Sequence, residues 1–257
     1  MAEAKITIIG AGNVATYCAI AFRSKGYNIV QIYSPHILLA NALAERVQAA
    51  PCASLEEISP DSDFYIIAIS DDALKSFAEK FRVKDKIVLH TSGFHEIDVL
   101  KNVSSRHGVL YPLQTLNKNS PMPEPRFPIC IEASDNDTLQ KIKLLAQSID
   151  GDVHIVSSQR RKVLHVAAVF ANNFGNYMFS LAEKILQKEK ISFGLLRPLI
   201  RSTAENVMHR SPSEVQTGPA KRGDEEILKA HLEILKDDPE LKSIYELISS
   251  GIRKNIS

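Results

Sequence analysis

The sequence predicts an α/β protein in which a doubly wound, mostly parallel sheet is followed by an all-α C-terminal domain. Short apolar, β-branched runs alternate with helical patterns up to residue 157. Strands that are apolar on both faces are typical of a parallel sheet covered by helices. Beyond residue 157 only helical patterns remain. We therefore expect two domains, 1–157 and 158–257.

The individual elements follow from the local patterns. Strands are predicted at 5–9, 28–33, 64–69, 86–90, 129–132 and 153–156. Helices of the first domain are predicted at 13–25, 37–49, 72–81 and about 137–149. Helices of the second domain are predicted at about 159–188, 193–209, 224–236 and 240–253. Residues 117–128 contain four prolines, so we expect an irregular connection there.

Composition and charge exclude several classes of protein. The chain of 257 residues is 44% hydrophobic, and its 31 Lys and Arg nearly balance its 30 Asp and Glu, so nothing favours binding to nucleic acid or anionic membranes. Cys18, Cys52 and Cys130 form no C-x-x-C pair, which argues against a disulfide framework and a structural zinc site. No apolar run approaches the roughly 18 residues of a membrane span, and no signal peptide is evident. We expect a cytoplasmic protein without a bound metal.

The first predicted strand and helix are joined by a glycine motif. Residues 10–15 read GAGNVA and match G-x-G-x-x-A. Gly10 permits the tight turn, Gly12 lets a pyrophosphate approach the backbone, and Ala15 lets helix and strand pack closely. The alternative is a purely structural glycine turn. The β-α-β context favours a Rossmann-type dinucleotide site in which Gly10, Gly12, Asn13 and Val14 hold the pyrophosphate.

The end of the second predicted strand bears on the choice between NAD and NADP. An NAD site usually has an acidic residue there for the ribose hydroxyls, whereas this chain has Ser34. An acid would repel a 2′-phosphate, so its absence favours NADP, with Ser34 near the ribose phosphate. Pro35 and His36 supply no arginine, and NAD is not excluded.

Two further strand ends carry candidate cofactor ligands. Ser70 follows the strand at 64–69, and Ser92 follows the strand at 86–90. Ligands of doubly wound sheets collect at the carboxyl ends of the strands, so both serines are candidates for the nicotinamide side of the site. The alternative is that Asp71 and Asp72 cap a helix and that Ser92 and the following glycine form a turn.

The long helix predicted at 159–188 contains polar residues in its middle. His165, Asn172 and Asn176 share one face, and Asn173 lies at its margin. Amides are costly to bury without partners, so this face either borders a ligand cleft or is solvated. Further along, residues 217–224 read TGPAKRGD, which predicts a turn followed by a helix N-cap.

Together these segments resemble a family of candidate NADP oxidoreductases with a Rossmann-like domain and an uncharacterised helical C-terminal domain, related to pyrroline-5-carboxylate reductase and the β-hydroxyacid dehydrogenases. The matching segments are IIGAGNVA at 8–15, HTSG at 90–93, YPLQTL at 111–116, HVAAVFANNF at 165–174 and TGPAKRGD at 217–224. Members usually have His-Pro where this chain has Tyr111 and a proline. They also usually have an arginine where it has Pro35.

The resemblance implies an oxidoreductase that transfers hydride to or from a small carbonyl, hydroxy-acid or imine substrate. A lysine and an asparagine serve acid–base catalysis and substrate binding in the related dehydrogenases. Their implied counterparts are His165 as proton donor and Asn173, which orients the substrate together with Ser92. Implied substrate ligands are Asn172, Lys221 and Arg222, and a homodimer through the helical domain is expected. The alternatives are a non-catalytic NADP(H) sensor and an assembly protein.

Overall fold

The computed structural model describes residues 4–119 and 126–254, and within these ranges the chain contains one eight-stranded sheet. The strands are β1 (Lys5–Ile9), β2 (Asn28–Tyr33), β3 (Ala50–Cys52), β4 (Phe64–Ile67), β5 (Ile87–His90), β6 (Arg106–Pro112), β7 (Pro128–Ala133) and β8 (Asp152–Ile155). Their order in the sheet is β3-β2-β1-β4-β5-β6-β7-β8. β6 and β7 pair antiparallel, and the other neighbours pair parallel. The predicted doubly wound, mostly parallel sheet is confirmed.

Apolar side chains cover both faces of this sheet. The helices of this part are α1 (Asn13–Ser24), α2 (Ile37–Val47), α3 (Asp71–Lys80) and α4 (Asn136–Ser148). One core cluster joins α1, α2 and α4 to one face, and a second joins α3 to the other. Ile66 belongs to the first cluster and Ile67 to the second, as the alternation of side chains along a strand requires.

Two strands lie where the sequence predicts none. β3 has three residues and contains Pro51, which an edge strand tolerates because one side of its backbone needs no partner. β6 begins with Arg106, His107 and Gly108, so its apolar run is too short to stand out in the sequence. The strand predicted at 64–69 ends earlier, at Ile67, and the next two residues turn towards α3.

The C-terminal part is helical, as predicted. The helices are α5 (Ser158–Ala168), α6 (Gly175–Lys188), α7 (Arg197–His209), α8 (Pro212–Val215), α9 (Pro219–Arg222), α10 (Glu225–Ile234) and α11 (Pro239–Lys254). The helix predicted at 159–188 is interrupted by a π-helical turn, Val169–Phe174, between α5 and α6. The short helix α9 lies within the segment 217–224, where the sequence predicts a turn, and α8 precedes this segment.

The chain divides into two compact units, Met1–Asn173 and Phe174–Ser257. The first unit extends beyond residue 157, where the sequence predicts the boundary, because α5 is joined to the sheet by an ion pair between Arg161 and Glu132 of β7. The second unit has a small core of leucines, Leu181, Leu235 and Leu241. No described helix combines the length and apolar character needed to cross a membrane.

Candidate functional site

A cleft of about 560 Å³ lies in the first unit, where the polypeptide leaves the carboxyl ends of β1, β2, β4 and β5. β1 lies between β2 and β4 in the sheet. The strand order therefore reverses at β1, with β2 and β3 on one side and β4 to β8 on the other. Such a switch point is where doubly wound sheets bind their ligands. The lining includes the predicted site residues Gly10, Gly12, Asn13, Val14, Ser34, Ser70, Ser92 and His165.

The glycine turn has the geometry that a dinucleotide phosphate requires. Gly10 has a φ of 120°, and a Cβ there would lie 2.2 Å from the carbonyl oxygen of Ala68. Gly12 is the N-cap of α1, and a Cβ there would meet nothing within 4 Å. Neither a capping side chain nor an acid in the first turn competes for the amides of α1. These N–H groups therefore fit a pyrophosphate.

The described residues that directly follow β2 and line the cleft include no Asp or Glu. Ser34 is buried, and its hydroxyl oxygen accepts the N–H of His36 at 3.2 Å. This bond shapes the turn into α2 and leaves the hydroxyl hydrogen of Ser34 free to bind a ligand oxygen. Pro35 and His36 complete this part of the lining. A hydroxyl donor without a neighbouring carboxylate is compatible with a phosphate on the ribose.

Lys118 is a lining residue that the sequence reasoning missed. Its backbone N–H donates to the Oδ1 atom of Asn13 at 3.1 Å, which fastens the loop after β6 to the glycine turn. Lys118 therefore brings a cation close to the expected position of the pyrophosphate. It lies in the proline-containing segment 117–128, where no periodic pattern identifies which side chains face inwards.

Ser70 and Ser92 both lie at turns. Ser70 is the N-cap of α3, and Asp71 and Asp72 lie in the first turn of the helix, so they do not cap it as the structural alternative expects. The Oγ atom of Ser92 accepts the N–H groups of Phe94 and His95 at 3.0 and 2.9 Å. Both serines nevertheless line the cleft. The Ser92 hydroxyl still has its hydrogen to donate to a ligand.

A buried histidine supports the Ser92 turn. The Nδ1 atom of His90 accepts the backbone N–H of Ser92 at 3.2 Å, so the neutral ring carries its proton on Nε2. Burial, reinforced by the positive charge of Arg161, lowers the pKa of His90 to about 3. His90 is therefore a neutral structural residue at physiological pH.

His165 lies on α5 and contacts β6 and the turn after β5. Its Nδ1 atom lies 3.0 Å from the hydroxyl oxygen of Tyr111, and the two rings meet edge to face. A Cβ at Gly93 would lie 2.6 Å from the same Nδ1 atom. Burial raises the pKa of Tyr111, so its hydroxyl stays protonated. Tyr111 was not a predicted site residue, although it marks a departure from the family pattern.

A buried polar network anchors α5 one turn before His165. Arg161 is fully buried and pairs with Glu132 at 2.7 Å. Its guanidinium also donates to the carbonyl oxygen of His95. Glu132 accepts the backbone N–H and the hydroxyl of Ser158 at 3.0 and 2.7 Å. These contacts fix the position of α5, and therefore of His165, relative to the sheet.

The other predicted substrate ligands lie outside the lining of this cleft. Asn172 and Asn173 are exposed in the π-helical turn, whose wider winding displaces them from the face expected for a continuous α-helix. In the second unit, the Nζ atom of Lys221 donates to the carbonyl oxygen of Gln216, and Arg222 pairs with a neighbouring aspartate. Within the described ranges, no three His, Cys, Asp or Glu side chains form a potential metal site.

The fold and the cleft define a Rossmann-type protein whose donor set suits a nicotinamide dinucleotide. Residues 5–92 match the family model described as NADP oxidoreductase, coenzyme F420-dependent. Residues 127–252 match a domain of unknown function, DUF2520. No curated protein sequence matches the chain.

Solved structures extend the comparison to the whole chain. A candidate NADP oxidoreductase from Bacteroides fragilis is 36% identical, with a TM-score of 0.91, and the match covers 98% of this chain and 99% of that one. An imine reductase from Myxococcus stipitatus in complex with NADP⁺ is 14% identical, with a TM-score of 0.65 and coverage of 98% and 94%. A 1-pyrroline-5-carboxylate reductase from Streptococcus pyogenes is also 14% identical, with a TM-score of 0.65 and coverage of 99% and 100%. The chain belongs to the NADP oxidoreductase family of the Bacteroides protein, and the two more distant structures share its fold.

Proposed function

We propose that this protein is an NADP-dependent reductase that acts on a small imine or carbonyl compound, or on the corresponding hydroxy acid in the reverse direction. One observation carries the proposal: the glycine turn and the ionisable side chain of His165 line the same cleft. If the glycine turn were purely structural, the presence of a histidine in the same cleft would have no explanation. The names of the imine reductase and pyrroline-carboxylate reductase structures favour a C=N bond as the reducible group.

The nucleotide is held mainly by backbone amides. Gly10 shapes the turn, while Gly12, Asn13 and Val14 surround the pyrophosphate at the N-terminus of α1. Lys118 adds a positive charge at the same place. Ser34 binds the ribose phosphate, and we expect NADP to bind more tightly than NAD because the described residues that line the cleft directly after β2 include no carboxylate to repel that phosphate.

His165 supplies the proton that a reduction of a C=N or C=O bond requires. The nicotinamide, when bound, supplies the hydride. Gly93 and Tyr111 occupy the Nδ1 side of the imidazole, so Nε2 lies on the opposite side of the ring from both. Nε2 is therefore the nitrogen that delivers the proton, with Ser70 and Ser92 on the nicotinamide side of the site.

Asn172 and Asn173, at the end of the first unit, orient the substrate in this proposal. The second unit contributes Lys221 and Arg222, which bind a substrate carboxylate, and it contributes to assembly. Large apolar side chains of the second unit, such as Leu199, Met208 and Leu247, are exposed, and a second copy of the chain would cover them as a homodimer. We expect the protein in the cytoplasm.

The test compares His165→Asn with the wild-type protein in an NADPH-oxidation assay over a panel of cyclic imines, ketones and keto acids. We expect kcat to fall at least about 100-fold because general acid catalysis is lost. The Kd for NADPH, measured by calorimetry, should stay within about twofold of wild type, since the groups proposed to hold the pyrophosphate belong to the glycine turn and not to His165. His209→Asn, an exposed histidine of α7, is the matched control and should retain full activity.

Other outcomes would lead to different functions. NADPH binding without turnover of any panel member would favour a sensor of NADP(H). Absence of nucleotide binding would favour an assembly protein. Full activity of His165→Asn would remove His165 as the proton donor while leaving the reductase proposal in place.

A further inference from the structure

We propose that Tyr111 is a positioning residue for His165, whose Nδ1 atom it holds so that Nε2 is the reacting nitrogen. The inference rests on the proposed function of the cleft, since it assigns the residue that orients the proton donor. It is carried by the 3.0 Å contact between the Tyr111 hydroxyl oxygen and Nδ1. The edge-to-face contact of the two rings, with centroids 5.9 Å apart, supports it.

The position of Tyr111 in the fold makes it a rigid support. It lies on β6, an interior strand that pairs with β5 on one side and β7 on the other. Its backbone is fixed opposite Cys130 in the antiparallel ladder. Gly93 closes the other approach to Nδ1, because even a methyl group there would overlap the imidazole. The imidazole is therefore held by one hydroxyl and by the close approach of a backbone turn.

A tyrosine hydroxyl suits this role in both protonation states of the imidazole. It donates to a bare Nδ1 atom and accepts from Nδ1–H when the ring is charged. The donor in this step is the charged imidazolium: its Nε2–H bond breaks, the electron pair stays on Nε2, and the proton forms a bond to the substrate nitrogen or oxygen. The ring is left neutral with its hydrogen on Nδ1, which donates to the Tyr111 hydroxyl oxygen. Tyr111 neither gains nor loses a proton in this step, in agreement with its burial-raised pKa.

Tyr111→Phe tests the role in turnover because it removes the hydroxyl and keeps the ring. We expect kcat to fall about tenfold, the factor typical of one lost hydrogen bond, at an unchanged Kd for NADPH. If Tyr111 acts through His165, adding Tyr111→Phe to His165→Asn should cause no further loss. A full additional loss in that double variant, or an unchanged kcat of the single variant, would overturn the proposal.

Tyr65→Phe is the matched control. Tyr65 is also on the sheet, and its hydroxyl donates to the carbonyl oxygen of Ser59 at 2.7 Å, outside the cleft. We expect this variant to lose stability but to keep its kcat. A comparable fall in kcat would mean that the loss of any tyrosine hydroxyl on the sheet affects turnover, which would also overturn the positioning role.

A second readout needs no substrate and so separates this inference from the proposed function. In protein labelled with ¹⁵N in the imidazole rings, the chemical shifts of Nδ1 and Nε2 report which nitrogen carries the proton of a neutral histidine. We expect neutral His165 to carry it on Nε2 in the wild type and to become a mixture of both tautomers in Tyr111→Phe. Identical tautomer populations would refute the inference. A changed population in a protein that turns over no substrate would support the positioning while refuting the reductase.

Discussion

The buried ion pair between Arg161 and Glu132 gives a sharp prediction about stability. The Arg161 side chain has no exposed surface and that of Glu132 is 19% exposed, with a separation of 2.7 Å. Arg161→Met keeps an unbranched chain of similar length but leaves the Glu132 carboxylate without its cation. Breaking a buried pair from one side typically costs about 3–5 kcal/mol. Glu132 keeps its two hydrogen bonds from Ser158, so we expect a loss of about 3 kcal/mol.

The assay is urea unfolding followed by far-ultraviolet circular dichroism, because the chain contains no tryptophan. The control is Arg201→Met. Arg201 pairs with Glu205 at the surface, with side chains 81% and 58% exposed. Such exposed pairs typically contribute less than about 1 kcal/mol. A loss of less than about 1 kcal/mol for Arg161→Met would refute the assignment of this pair as the anchor of α5.

The double variant Arg161→Met/Glu132→Leu separates the effect of an unpaired charge from loss of packing. With both charges removed, the desolvation cost of the carboxylate disappears, and we expect at least half of the lost stability to return. A double variant as unstable as the sum of the two single variants would show that the packing of the two stems, and not the charge, is what matters.

Two further predictions concern the cleft and its support. Gly10→Ala should lower the free energy of unfolding by at least about 2 kcal/mol, because its Cβ would meet a carbonyl oxygen and its φ is positive. Gly12→Ala should lower the free energy of unfolding by less than about 1 kcal/mol. It should nevertheless weaken NADPH binding at least about tenfold, because the pyrophosphate would approach the backbone there. Calorimetry and urea unfolding of the pair distinguish these effects, and the reverse pattern would contradict the assigned roles. Because the pKa of His90 falls from 6.5 to about 3 on folding, the unfolded state binds more protons between these pH values, so stability is lost as the pH falls. We expect His90 to account for about 2 kcal/mol of loss between pH 7 and pH 5, and an equally steep loss in His90→Gln would contradict this assignment.

The sequence predicts the central sheet well because its strands are continuous apolar runs, such as Phe64–Ile67, that only a covered sheet explains. It does not predict β3 and β6, whose places depend on pairing with strands already present. The same distinction applies to the site. The glycine turn is a local pattern and is visible in the sequence, whereas Tyr111 and His165 are 54 residues apart and meet only through the packing of α5 on the sheet.

The periodicity of the sequence predicts an uninterrupted α-helix from 159 to 188. On that assumption Asn172 and His165 share a face. The π-helical turn breaks this relation, because its wider winding changes the angle at which every later residue leaves the axis. The periodicity of the sequence predicts no such turn, because the turn depends on the tertiary packing of the helices on either side of it.

The anchoring of α5 bears on the proposed role of His165 as proton donor. His165 belongs to the same compact unit as the glycine turn, so its distance from the nucleotide site is set by the sheet, the Tyr111 hydroxyl and the ion pair of Arg161. If His165 is the proton donor, Arg161→Met should lower kcat at an unchanged Kd for NADPH, because it loosens the helix that carries His165 and leaves the glycine turn intact.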